Sequence, residues 1–206
     1  MRCARRGLVL LVLVALPALG AFADSTAAFY NGGGTLYNFV GKATGYFFTP
    51  NVNITVTALG LYDYGTPGFA DSHDIGIFLA NGTLVTDTTL ASGLPGFAAD
   101  GSRFVTVAAV TLSAGTQYYI EGDNWSNDLY GFGKGAVTFA PEITWNGFGD
   151  SNSNSIFDTV TNLGGFPGNL GPNFQFASTV PEPGSIVLLG TGLATLVGAI
   201  RRRMRT

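Results

Sequence analysis

One cysteine, one histidine and two methionines stand among 206 residues, and Lys plus Arg come to only 10. Cys3 lies in the first few residues, so the rest of the chain has no thiol for a disulfide, a nucleophile or a thiolate metal site. It also lacks the small and apolar residues that precede an acylated lipoprotein cysteine. His73 is the sole imidazole, and its nearest companions are Asp71, Ser72 and Asp74. Consecutive residues of an extended chain point to opposite faces, so these four cannot converge as a Ser-His-Asp triad requires. A hydrolytic triad and a His/Cys zinc site have no material here. The expectation is a protein that is not an enzyme and needs no cofactor; a glycosidase built on two carboxylates is the one catalytic form the composition leaves open.

Basic residues are scarce in the middle. Arg2, Arg5 and Arg6 open the chain, and Arg201, Arg202, Arg203 and Arg205 close it. Between Asp24 and Val180 only Lys42, Arg103 and Lys134 remain, against twelve Asp and Glu, which leaves nine net negative charges. That field repels nucleic acid and anionic lipid and favours solubility.

The two ends are read as signals. "MRCARRGLVLLVLVALPALGAFAD" has a positive start, an apolar run from Gly7 to Leu19 and an Ala21-Phe22-Ala23 cleavage site, the three parts of a secretory signal peptide over 1–23. At the other end, Ile186 to Ile200 is almost wholly apolar. Fifteen residues rise about 23 Å, short of a hydrocarbon core of about 30 Å, so the helix spans only with its flanks snorkelling. The arginines after it hold the tail in the cytoplasm and turn the preceding domain outward. Pro181-Glu182-Pro183 precedes the helix as a rigid extended strip, because each proline fixes its own φ and biases its predecessor to extended conformations.

What fills 24–179 is Gly, Thr, Val, Phe and Tyr, interrupted at short intervals by Gly, Pro, Asn and Asp. That is strand-and-turn composition. In "NVNITVTALGLYDY", Val52, Ile54, Val56 and Ala58 alternate with polar residues and the alternation slips at Leu59, which predicts a strand with a bulge near Ala58 to Gly60. "DIGIFLANGTLVTDTTL" predicts a hairpin turning at Asn81-Gly82, in the type I′ form that pair favours. Further strands are predicted at "RFVTVAAVTL", "QYYIEG", "GAVTFA" and "NFQFAS", with Pro141 to Pro172 as a long loop. The fold class is all-β: an antiparallel β-sandwich, jelly-roll-like, flanked by an N-terminal signal helix and a C-terminal transmembrane helix.

The C-terminal 180–206 resembles a PEP-CTERM sorting signal, with its Pro, Glu and Pro on Pro181, Glu182 and Pro183, its apolar helix on Ile186 to Ile200 and its basic stop on Arg201, Arg202, Arg203 and Arg205. The resemblance implies a Gram-negative exported protein, delivered by the general secretion machinery and recognised by exosortase, a membrane transpeptidase that cleaves near the Pro-Glu-Pro. It further implies an inner-membrane-anchored precursor facing the periplasm, then a cell-surface or extracellular-matrix product. "ITVTALGLYDYG", "HDIGIFLANGTLV" and "VTLSAGTQYYIEG" are similar to phrases in the exported parts of such proteins, which implies a fold and no activity.

Two ligand sites are considered within the domain. Trp125, Tyr130, Phe132, Trp145 and Phe148 fall in or beside Gly-rich segments, where exposed rings would stack on sugars; a carbohydrate-binding module for exopolysaccharide is the alternative function this implies. Asp150, Asn152, Asn154 and Asp158 have the 1, 3, 5, 9 spacing of a calcium loop. Ser155 stands where such a loop wants Gly and Thr161 where it wants a bidentate Glu, so poor affinity is expected and no metal is assigned. Asp123, Asn124, Asn127 and Asp128 read as turn chemistry.

Overall fold

The computed structural model describes residues 24–31, 34–37, 40–64, 68–96, 101–123, 125–132, 137–158, 160–165 and 169–178, together with Gly190 and Gly192. The predicted signal peptide, Pro181 to Pro183 and the terminal arginines lie outside the described residues. Among those described, only Gly190 and Gly192 are helical, and no helix is long and apolar enough to cross a membrane.

Two antiparallel sheets make the body. The larger contains β4 (Thr44–Pro50), β6 (His73–Leu79), β7 (Leu84–Leu90), β9 (Tyr118–Gly122), β12 (Ile143–Asp150) and β13 (Thr161–Gly164), in the order β13-β12-β4-β9-β6-β7. The smaller runs β1-β15-β5-β8, from β1 (Ser25–Thr26), β15 (Pro172–Ser178), β5 (Ile54–Tyr62) and β8 (Ser102–Leu112). Short strands complete the rim: β2 (Ala28–Tyr30) pairs β11 (Val137–Phe139), and β10 (Tyr130–Phe132) lies between β3 (Thr35–Tyr37) and β14 (Asn169–Leu170).

Alternation explains the core. Ile54, Val56, Leu59 and Leu61 of β5 and Phe174 and Phe176 of β15 face Tyr46 and Phe48 of β4, Ile75 and Ile77 of β6 and Tyr118 and Ile120 of β9 in one buried cluster. The phase change between Val56 and Leu59 has the predicted cause: a bulge, centred on Thr57, which has no partner in the register of either neighbouring strand.

Opposite side chains of the larger sheet are buried as well. Phe47, Phe78 and Tyr119 pack with Ala43 and Ile156 in a second cluster, because 151–158 folds back across that face. This explains why "TGYFFTP" is buried on both sides and shows no alternation. It also corrects the reading of Pro141 to Pro172 as one long loop. Ile143–Asp150 is a strand paired along its length with β4, broken only by a bulge between Trp145 and Gly147, and β13 and β14 follow within the same stretch.

The hairpin at Asn81-Gly82 forms with a different turn from the predicted type I′. Leu79 N–H bonds Thr83 O and Gly82 N–H bonds Leu79 O, enclosing Ala80, Asn81 and Gly82, with Gly82 at φ +86°. This is a three-residue loop ending in a left-handed glycine, and Asn81 Oδ1 accepts from Thr83 N–H to hold it.

Candidate functional site: the acidic end of the larger sheet

β6 begins and β9 ends at the same rim of the sandwich, and this rim gathers the buried polar side chains. His73 is 0% exposed. Its Nδ1 lies 2.6 Å from Asp123 O and its Nε2 3.0 Å from Asp128 Oδ2, while the rings of Phe69 and Trp125 flank it at 5.0 and 5.2 Å. Both ring nitrogens thus meet an oxygen of the protein, one backbone and one side-chain. Asp128 also accepts from the N–H groups of Ala70 and Asp71, and Asn127 Nδ2 donates to Asp71. Asp123 Oδ1 accepts from Asp74 N–H. These bonds are long-range and not the local turn bonds expected of Asp123, Asn127 and Asp128: they tie 123–128 to 70–74 and lock the strand ends together, while Asn124 lies outside the described residues.

A second buried pair sits nearby. Arg103 Nε donates to Asp63 Oδ2 at 2.6 Å, and its Nη1 reaches Leu94 O at 2.8 Å. Between the two pairs lies a cleft of about 100 Å³ lined by Tyr62, Asp63, Tyr64, Phe69, Asn127, Asp128 and Leu129. Every named acid in it already has a partner, and no hydroxyl or thiol stands against the imidazole as a nucleophile among the described residues.

Glu121 is different. It is the next-to-last residue of β9, on the face that carries Tyr119 and lies beneath 151–158, where it is 0% exposed and neither carboxyl oxygen has a hydrogen-bond partner. Its cross-strand partners are Gly45 on β4 and Gly76 on β6, so no side chain on either side supplies a donor. Burial first, then the carboxylates of Asp123 and Asp158, push its pKa up to about 9. Asp123, 8% exposed, is raised too, chiefly by burial.

Of the aromatic residues expected as exposed stacking platforms, Trp125, Trp145 and Phe148 are placed otherwise. Trp125 is fully buried, its Nε1–H donating to Gly122 O at 2.9 Å, so it belongs to the core around His73 and no sugar reaches it. Trp145 and Phe148 are half-buried on β12 and pack against the same core. The backbones of Tyr130 and Phe132 form β10 beside Tyr37 and Thr35. Exposed rings occur instead at Phe29, Tyr37 and Phe157.

Of the four loop residues considered for calcium, Asn152 is exposed and the other three have different surroundings. Asp150 is the last residue of β12, and its Oδ2 takes Lys42 Nζ at 2.6 Å. Asn154 lines a cavity at the Asp123 end of β9, whereas Asp158 lines another, beside Tyr119 and Asn81. The 151–158 segment is a run of bends and turns tied to Ala43 by backbone bonds, Ser151 N–H to Ala43 O and Ala43 N–H to Ser153 O, with Asp158 N–H bonded to Ser155 O.

Comparison with protein families matches residues 179–203 to the PEP-CTERM protein-sorting motif. Pro181, Glu182, Pro183 and the first three terminal arginines all fall inside the match, and the motif marks the chain for exosortase-dependent export and sorting. No curated protein matches the chain. Among solved structures it is similar to the infectious bursal disease virus VP2 subviral particle, at 11% identity and a TM-score of 0.24, covering 89% of this chain and 50% of that one. It thus spans half the length of the matched structure, a likeness too slight to carry an argument.

Proposed function

We propose that the chain is an exported surface or matrix protein whose β-domain is delivered outside the cell and separated from its membrane tail by exosortase at Pro181-Glu182-Pro183, with no catalysis of its own. The observation that carries this is the match of 179–203 to the sorting motif, directly after the last strand. β15 ends at Ser178, and only Thr179 and Val180 separate it from the first motif proline. Cleavage at the prolines leaves every core residue of β15 on the domain side.

The pairing inside the domain supports a passive role: its imidazole and its buried arginine are both consumed in structural pairs. The test is to replace Pro181, Glu182 and Pro183 together by alanine and follow the protein by fractionation. Loss of the processed product from the medium and surface, with full-length protein accumulating in the membrane, is the expected result. Unchanged release of a processed product would overturn the reading.

A further inference from the structure

Glu121 has no part in the sorting route or in the buried ion pairs. A carboxyl in a central strand, fully buried, with both oxygens unpartnered, is a place where something beyond the protein chain alone belongs. Asp74, Glu121 and Asp123 share one end of the outer face: Asp74 sits one step before Ile75, which faces the core, and Glu121 one step after Ile120, which does likewise. Above them the residues 151–158 lie close, Ile156 standing over Gly76. At the rim a polar cavity of about 200 Å³ opens between strands and loop, lined by Ser72, Asp74, Asp123 and Asn154. Glu121 stands two residues before Asp123 on the same face of the chain, next to this cavity's Asp123 wall, and the charges of Asp123 and Asp158 act on it.

We propose that this rim binds a hard divalent cation of the calcium class, held by the carboxylates of Glu121 and Asp123 on β9 and closed over by oxygens of the 151–158 loop, Asn154 among them. The chemistry suits the residues. Calcium takes six to eight oxygen ligands in irregular geometry, so two carboxylates can be completed by amide, hydroxyl, carbonyl and water oxygens. Among the described residues no three His, Cys, Asp or Glu side chains converge as a ligand cluster. A shell of two carboxylates completed by neutral oxygens binds weakly, and affinity in the range of extracellular modules, a Kd of about 0.1 to 1 mM, is expected. The pull on Glu121 and Asp123 comes from within a surface carrying an excess of negative charge, which concentrates cations at the rim.

The experiment uses the full chain in detergent, titrated with terbium as the calcium-class probe, and reads luminescence sensitised by Tyr119 and Trp125, both close to Glu121 in the chain. Thermal melting in calcium against chelator is read in parallel. Wild type should show saturable sensitised emission displaced by calcium, and a melting temperature raised by calcium. Glu121→Gln, which keeps shape and volume, and Asp123→Asn should each weaken terbium binding at least tenfold and abolish the calcium-dependent rise. Asp150→Asn, which removes only the partner of Lys42, should leave both readouts unchanged. The proposal is overturned if wild type shows neither signal, or if both signals persist in Glu121→Gln and Asp123→Asn.

Discussion

Buried polar side chains set the sharpest expectations at the scale of single residues. His73 is buried and its Nε2 meets the partly exposed Asp128 at the rim, so removing Asp128 leaves that ring nitrogen without its side-chain partner and the Ala70 and Asp71 N–H groups without their acceptor. Asp128→Ala should therefore cost about 1 to 3 kcal/mol, read from urea unfolding. Trp125 fills the space against the same imidazole, and Trp125→Ala should cost about 3 to 5 kcal/mol on volume grounds. Glu121 acts through protons when no divalent cation is present. Its folded pKa, about 9, lies above the ordinary glutamate value of 4.5, so the folded state holds the proton more tightly than the unfolded state. Stability in chelator should fall as pH rises from about 4.5 to about 9 and level off above, and Glu121→Gln should flatten that part of the profile. Denaturant midpoints across the range check both statements; a wild-type profile that rises there contradicts them.

Strands and turns are legible in the sequence only where their surroundings leave a local imprint. Alternation in 52–61 announces β5 and its bulge, because one face is buried and the other is half in solvent. Asn81-Gly82 announces the hairpin, but the turn type depends on how many residues the neighbouring strands leave unpaired, which local sequence does not encode. β4 gives no such signal, because burial on both faces erases the period of two. β12 is masked by its glycines, which here let neighbours approach: a side chain at Gly149 would meet Val160 and Phe47. The loop over the outer face is a product of tertiary packing, with Ile156 set against Phe47, Phe78 and Tyr119, and local sequence does not announce it. Within the hairpin, Gly82 has open space around it but a left-handed φ of +86°. Gly82→Ala should lower stability by about 1 to 2 kcal/mol through backbone strain alone, measured by chemical unfolding.

Taken whole, the molecule separates its address from its body. The body is closed by its own ends: Ser25 and Thr26 pair with Phe176 and Gln175, so the first strand after the predicted signal cleavage seals the last strand before the sorting motif. Cutting after β15 removes nothing from the core, and the released domain should melt at the same temperature as the tail-bearing precursor. A lower midpoint in the released form would show that the tail contributes to the fold. The address is readable from order and spacing alone, since Pro-Glu-Pro, an apolar run and an arginine cluster follow one another in the sequence. A ligand site assembled from β6, β9 and a distant loop cannot be read the same way. That exosortase ends this chain at its motif is tested most directly by mass mapping of the C-terminal peptide in host cells with and without the exosortase. A C-terminus between Val180 and Pro183 is expected only where the enzyme is present, and a tail reaching Thr206 where it is not; the same truncated end in both would contradict exosortase processing.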